Sequence, residues 1–434
     1  MNWRQAYREK LRSAEDAVAL IPDHSLIVQG MCVGEPPALL EAIAERARQG
    51  DLTDVRMTAL LPMAHSKRTI LSDDLRDRIH WESLFASASD RGLLQAGVAV
   101  YTPAYFHQIP RLVEEFMDVD VAIVTVSPID ERGYMSLGVS VDINQSAVKR
   151  ARIILAEVNP QMPRVHGGAW VHISDVTAVV ENDTPLLELP LPPERKEDHE
   201  IGRIIAEMIP DGACIQLGIG GMPNAVAKNL MGHRDLGIHT EMFVEAMVDL
   251  VETGVANGSR RTFHPGKAIY SFAAGTRRMY EFLDDHPDIE GHPVSYTNFP
   301  PNIARNANMV SVNSTLEVDL TGQCCSESIG TAQFSGTGGQ HDFARGAFDA
   351  PGGKSVIAFY STAKSGTMSR VVPTLTPGAV VTTPRTEVHW IVSEYGAVCL
   401  KGKSTRERAK AMIGLAHPKF REGLTAAARD IGYL

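Results

Sequence analysis

Along most of the chain, short β-branched runs alternate with longer stretches whose apolar residues recur at helical spacing. The runs SLIVQG (25–30), DVRMTAL (54–60), VDVAIVTVS (119–127) and ARIILAEV (151–158) read as strands. So do ACIQLGI (213–219), GIHTEM (237–242), VSVNST (310–315), KSVIAFY (354–360), AVVTTP (379–384) and VHWIVSE (388–394). Helical periodicity predicts PALLEAIAERARQG (37–50), QSAVKRA (145–151), DHEIGRIIAEMI (198–209), PNAVAKNLM (223–231) and STRERAKAMIGLA (404–416). The last opens on Ser404 with Glu407 three residues on, the pattern of a capping box. Nearly continuous apolar strands set between helices predict an α/β fold whose sheets are mainly parallel and covered on both faces.

The segment LLELPLPPERKEDHE (186–200), three prolines followed by a charge run, has boundary composition. It divides the chain into an N-terminal domain, 1–190, and a C-terminal domain, 191–434. The two read as relatives. VQGMCVGEPPALL (28–40) aligns with IQLGIGGMPNAVA (215–227), matching Gln29 with Gln216, Gly34 with Gly221 and Pro36 with Pro223, each pair 187 positions apart. Each copy reads as strand, tight glycine turn, then a helix opened by proline. Aligning the next strands, DVRMTAL with DLGIHTE, sets Leu60 against Glu241. One copy then has an apolar strand end where the other has a carboxylate, as expected if only one copy carries chemistry.

Charge narrows the partners. The formal net charge of −10 argues against a nucleic-acid partner, which would require a basic face. An anionic substrate must then be drawn in by local dipoles and a few cations. The opening MNWRQAYREKLRSAEDAVALI reads as an amphipathic helix and not a secretory leader, and no apolar run approaches the ~20 residues that span a bilayer. The five cysteines, Cys32, Cys214, Cys324, Cys325 and Cys399, show no CxxC spacing, which argues against a disulfide framework and a zinc ribbon. A cytoplasmic protein with no membrane partner is the expectation.

Three stretches hold candidate chemistry. In open α/β sheets, sites form beyond the carboxyl ends of strands. GIGGMPNA (218–225) offers close-approach backbone N–H groups and a helix N-terminus for negative charge. Glu241 ends the next strand. Backbone donors beside a carboxylate suit acyl transfer from a thioester, the carboxylate attacking and the amides holding the oxyanion. Read plainly, the first is an ordinary turn and the second a solvated glutamate. Gly336, Gly338 and Gly339 in FSGTGGQHDFARGA (334–347) make either a loop lining a nucleotide or pantetheine channel or one held by its own Asp342 and Arg345. A dinucleotide fingerprint fails at Pro223, where a third glycine is required. His239 and Glu241 share a strand face, with His264 nearby, but no third ligand follows at a metal-site spacing. No metal is therefore expected.

Taken together, GIGGMPNAV, LGIHTEM, VSVNSTLEVDLTGQ, GTGGQHDFARGA and VHWIVSEYGAVCLKGKSTRERAKAMIGLAHPKFRE resemble the acetyl-CoA hydrolase/transferase family, among them the 4-hydroxybutyrate and butyrate CoA-transferases. GEP (34–36), SPIDERGYMSLGVSVD (127–142) and EVNPQMPRVHG (157–167) extend the likeness over essentially the whole chain. The resemblance implies two open α/β domains with the active site in the cleft between them. It implies reversible ping-pong transfer of coenzyme A between an acyl-CoA and a small carboxylate, with no permanently bound cofactor. Glu241 matches the family's catalytic glutamate, which carries mixed anhydrides and a glutamyl-CoA thioester. Gly220 and Gly221 match the oxyanion turn, and Gly338, Gly339 and Gln340 the segment near pantetheine; Gln216 joins these as an oxyanion or CoA contact.

Met31 and His239 are carried as substrate-pocket candidates, His239 standing between a pocket wall and a packing residue. Relatives have Gly-His before the GEP; here Gly30-Met31 stands instead, which reshapes the carboxylate pocket. Acceptors therefore include 4-hydroxybutyrate, butyrate or acetate, and dicarboxylates such as succinate or itaconate. The rivals are an acyl-CoA hydrolase using the same glutamate and a non-catalytic CoA-binding protein. Relatives imply a homodimer or a higher homo-oligomer.

Overall fold

The computed structural model describes residues 2–191 and 193–434. The chain forms two compact units, Met1–Pro190 with Ile269–Thr297, and Leu191–Ala268 with Asn298–Leu434. The linker composition near 190 marks the first crossing. Nothing in it announces the return at Ile269–Thr297.

The first unit is built on seven parallel strands: β1 (Leu26–Gln29), β2 (Val55–Leu60), β3 (Ile79–Phe85), β4 (Val100–Tyr101), β5 (Val121–Val126), β6 (Ile153–Val158) and β7 (Ala178–Glu181). They lie in the order β7-β6-β5-β1-β2-β3-β4. Every residue of β1 and β5 is buried, which is why these strands read as unbroken apolar runs. Helix α1 (Pro37–Gln49) starts on proline and stops at Gly50, whose φ of 88° is left-handed. Its Leu39, Leu40 and Ile43 share one core with Ile27, Val55 and Met57. A second, short helix, α2 (Ala64–Arg68), follows β2.

The second unit has six strands: β8 (Cys214–Leu217), β9 (Gly237–Ile238), β10 (Met309–Ser314), β11 (Lys354–Ala358), β12 (Trp390–Ser393) and β13 (Gly396–Cys399). Their order is β9-β8-β10-β11-β12-β13, parallel but for the final hairpin. The helices that matter for the site are α3 (Lys196–Glu207), α4 (Gly221–Asn229), α5 (Pro300–Ile303) and α6 (Gln340–Asp349). Further on, α7 (Thr405–Leu415) keeps the reciprocal Ser404–Glu407 capping box. With α8 (Pro418–Asp430), it closes a core of Ile357, Phe359, Ile391 and Met412. Among the described residues, no helix is long and apolar enough to cross a membrane.

Strand order repeats between the units: β2-β1-β5-β6-β7 in one, β9-β8-β10-β11-β12 in the other. The duplication read from sequence therefore extends to topology. Register corrects its detail by one residue. Val28 pairs with Thr58, whereas Ile215 pairs with Ile238, so Leu61, not Leu60, stands level with Glu241. Two strand expectations also change. GIHTEM keeps only Gly237–Ile238 in the main sheet, and a separate short strand begins at Met242. AVVTTP is not a strand; with Gly378 in a left-handed conformation and Val380 and Val381 exposed, it joins the sheets only through an isolated Thr383–Cys324 bridge.

Candidate active site

The carboxylate at the centre of the second unit owes its place to a strand that stops early. Strand β9 lies at the edge of its sheet, and its last ladder bond runs from the His239 N–H to the Ile215 carbonyl at 3.1 Å. The backbone then turns away, with the Thr240 hydroxyl donating to the Met242 carbonyl at 2.9 Å. Glu241 emerges half-buried from this turn. The Asn298 Nδ2 donates to its Oε2 at 2.6 Å, and the Gly339 N–H donates to the same carboxylate.

Gly339 caps the N-terminus of α6, so the carboxylate also meets the positive end of that helix. A Cβ at Gly339 would fall onto both the Glu241 Oε2 and the Asn298 Nδ2, so glycine is required there for space. Burial pushes the Glu241 pKa up to about 7, and the negative charge of Asp342 adds to that rise. The bonds from Asn298 and Gly339 pull in the opposite direction. Beside them, the Asn298 Oδ1 and Gln340 Nε2 are buried with no hydrogen-bond partner among the described residues, which leaves an acceptor and a donor uncommitted near the carboxylate.

The glycine turn leaves the carboxyl end of β8, the neighbour of β9. Gly220 has φ of 126° and ψ of −179°, a combination open essentially to glycine alone. A Cβ at Gly221 would lie 2.6 Å from the Asp198 Oδ2. Asp198 is itself buried, accepting from the Arg195 N–H at 2.8 Å and the Tyr360 hydroxyl at 2.7 Å. The turn is thus packed from beneath, while Ile219 at its crest is 56% exposed. Its α4 N-terminus offers unpaired N–H groups on the strand-end side of the sheet.

The remaining sequence candidates are interior residues. The Gln216 Oε1 accepts from Asn313 Nδ2 at 3.2 Å under the turn. His239 is fully buried against Phe263 and Phe343, and its Nδ1 faces the Arg261 Nη2 at 3.2 Å. A guanidinium only donates, so that nitrogen accepts and the ring proton sits on Nε2. In the first unit, Met31 is fully buried and its carbonyl accepts from the Ser140 hydroxyl at 3.2 Å. Gly338, with φ of 54°, shapes the backbone just before the Gly339 cap. The structure therefore gathers Glu241, Gly339 and Gln340 and adds Asn298, which the sequence reading missed. Asn298 lies in TNFPPNIARNAN, a stretch with no catalytic signature, and only the packing of α5 reveals it.

Family models cover both units: the acetyl-CoA hydrolase/transferase N-terminal domain matches residues 1–188, and its C-terminal domain residues 275–428. The chain belongs to the acetyl-CoA hydrolase/transferase family, and it is an enzyme of the CoA-transferase type. A succinyl-CoA:cyclohexane-1-carboxylate CoA transferase of Geobacter metallireducens is 45% identical over 428 residues, 99% of this chain and 97% of the relative. The 4-hydroxybutyrate coenzyme A transferase of Clostridium kluyveri is 43% identical over 425 residues, 98% of each chain. The crystal structure of RipA from Yersinia pestis is similar over the full length of both chains, with a TM-score of 0.97 and 45% identity.

Proposed function

We propose that this enzyme moves coenzyme A reversibly between an acyl-CoA and a small free carboxylate, with Glu241 as the covalent carrier. The observation that carries this reading is the carboxylate itself: it ends an edge strand, is held by an asparagine amide and a helix-capping N–H, and is raised to a pKa of about 7. Ionised Glu241 attacks the thioester carbonyl, the C–S bond breaks, and the CoA thiolate leaves a mixed anhydride behind. The thiolate then attacks the Glu241 carboxyl carbon, releasing the first carboxylate and forming a glutamyl-CoA thioester. An acceptor carboxylate reverses the two steps and departs as the new acyl-CoA. The cycle balances without water, a metal or a redox group.

Two sets of donors suit the two oxyanions. When the glutamyl carbon is attacked, negative charge grows on the carboxyl oxygens that Asn298 and Gly339 already meet. When the acyl carbon is attacked, the N–H groups at Gly220 and Gly221 are the donors at the neighbouring strand end. The Gly338–Gln340 segment then lies beside the pantetheine arm. The names of the two transferases above, one for succinyl-CoA with cyclohexane-1-carboxylate and one for 4-hydroxybutyrate, favour succinate, cyclohexane-1-carboxylate or 4-hydroxybutyrate as the exchanged acids, with butyrate, acetate and itaconate as further acceptors. A homodimer or larger assembly, read by sedimentation, belongs to the same proposal.

The test is to incubate the enzyme with an acyl-CoA, reduce with borohydride and map the peptides. An alcohol at position 241 is the expected product, and steady turnover with no modification there sinks the proposal. Adding acetate, succinate, 4-hydroxybutyrate or itaconate must yield a new CoA ester. Release of free CoA and acid alone assigns the enzyme as a hydrolase.

A further inference from the structure

Behind the carboxylate, one buried guanidinium ties together the separate segments that build it. Arg261 is only 5% exposed. Its Nη1 donates to the carbonyl of Ile238, the last residue of β9, at 2.9 Å, and also to the Lys267 carbonyl. Its Nη2 donates to the His239 Nδ1 at 3.2 Å and to the Asn306 Oδ1 at 3.0 Å, and its Nε reaches the same Asn306 oxygen at 3.3 Å. A Cβ at Gly237 would fall onto the Arg261 Cγ, so the strand lies directly on this side chain.

Each partner leads to one element of the site. Ile238 and His239 are the final residues before the turn that carries Glu241. Asn306 is fully buried and donates to the carbonyl of Ile303, the end of α5, whose entrance follows Asn298 by two residues. The His239 ring meets Phe343 edge-on, with centroids 6.3 Å apart, and the Phe343 N–H donates to the Gly339 carbonyl at 3.0 Å in the first turn of α6. The stretches carrying Glu241 and Asn298 thus meet Arg261 through Ile238, His239 and Asn306, and the helix cap is reached one contact further on, through the His239 ring and Phe343.

We infer that Arg261 is a positioning residue for the transfer reaction, fixing Glu241, Asn298 and Gly339 relative to one another without touching substrate. Only a planar fork with five donors makes this set of bonds; the point-like ammonium of lysine serves fewer acceptors at once. A displacement of about 1 Å in a reacting group costs on the order of 10²-fold in rate. The inference rests on the glutamate reading above.

The experiment compares wild type with Arg261→Lys, and Glu241→Ala is assayed alongside. The fraction of competent sites is counted by glutamyl-CoA adduct per chain, and kcat is expressed per competent site. Arg261→Lys is expected to fold, to form the adduct at near one per chain given time, and to lose about 10²-fold in kcat. Its KM for the acyl-CoA should stay within about threefold. A kcat per competent site within about twofold of wild type overturns the inference, as does a loss confined to the number of competent sites, which is what a merely structural arginine produces. If Arg261→Lys does not fold, Asn306→Ala, which removes the acceptor of two Arg261 bonds, decides by the same readouts with an expected loss of about tenfold. Full activity in Glu241→Ala defeats the glutamate reading itself. An inactive Glu241→Ala beside an unimpaired Arg261→Lys defeats only the positioning role.

Discussion

The two sheets share a run of five strands in the same order, and the strand that leads to Glu241 differs from its counterpart. In the first unit, β2 is an interior strand six residues long; its register against β3 shifts between Ala59 and Leu60, yet past its end the Leu61 N–H still donates to the Phe85 carbonyl at 2.8 Å. In the second, β9 is two residues long and lies at the sheet edge, so the chain is free to turn outward and present Glu241. Leu61 and Glu241 are both half-buried, so burial alone does not separate the two strand ends; the donors that meet Glu241 beyond its turn do. A second carboxylate sharpens the lesson. Glu35, 2% exposed, receives the N–H groups of Met63 at 2.7 Å, His65 at 3.2 Å and Ser66 at 3.4 Å, plus the Ser66 hydroxyl at 2.5 Å. It is saturated by the start of α2. Burial raises the pKa of both carboxyls, so the difference between them is that Glu241 has two donors where Glu35 has four.

The sharpest way to break this comparison is to remove each carboxylate. Glu241→Gln should cut kcat by about 10⁴-fold or more while the protein stays folded, as read by steady-state kinetics and melting. Glu35→Ala should instead lower stability by roughly 3 kcal/mol, because several buried donors lose their acceptor, with kcat held within about tenfold. Equal kinetic losses in both variants would erase the distinction.

One crowded glycine in each unit gives the next largest effect. Gly339→Ala drives a Cβ into Glu241 and Asn298 and should cost about 10²-fold in kcat. Gly34→Ala drives a Cβ into Ser140 and should appear in denaturant titration as a loss of about 1–3 kcal/mol, with activity per folded molecule retained.

Two pH measurements refine the role of Glu241. The proposed mechanism requires Glu241 to attack in its ionised form, so kcat/KM for the acyl-CoA should fall on the acid side of an inflection near pH 7. Asn298→Ala, which removes a bond that favours the ionised form, should move that inflection to higher pH. Stability should run the other way. The folded pKa of about 7 lies above the ordinary 4.5, so between these values the native state binds more protons than the unfolded chain, and stability falls as pH rises. At pH 8, Glu241→Gln should therefore be more stable than wild type by an amount of order 1–3 kcal/mol, the gap closing below pH 4.5. A constant gap across that range would mean that burial is not what raises the carboxyl.

Much of the frame was legible because its signals are local. Continuous apolar runs announced β1, β5, β6, β8, β10 and β11, since strands covered on both faces admit few polar residues. Pro37, Gly50, Ser404 and Glu407 marked helix ends through their own backbone chemistry. The family motifs pointed to Glu241 and the glycine turns. GIHTEM shows the limit of such reading: its β-branched composition is the same whether the strand runs six residues or two, and only the place of β9 at the sheet edge decides that it stops. The one-residue register difference that sets Leu61 level with Glu241 is likewise a property of the paired ladders.

By itself, then, the sequence determined the α/β class and the duplicated strand–turn–helix unit and singled out Glu241 as the candidate carboxylate, all of which depend on neighbours a few positions apart. Only the tertiary structure decided that Asn298 donates to Glu241, that Gly339 must lack a side chain, and that Arg261 bonds both the end of β9 and Asn306 behind α5. These pairs are separated by tens of residues along the chain. Their chemistry exists only once the sheet has brought its strand ends to one side and the low-dielectric interior has made each hydrogen bond and each excluded Cβ count.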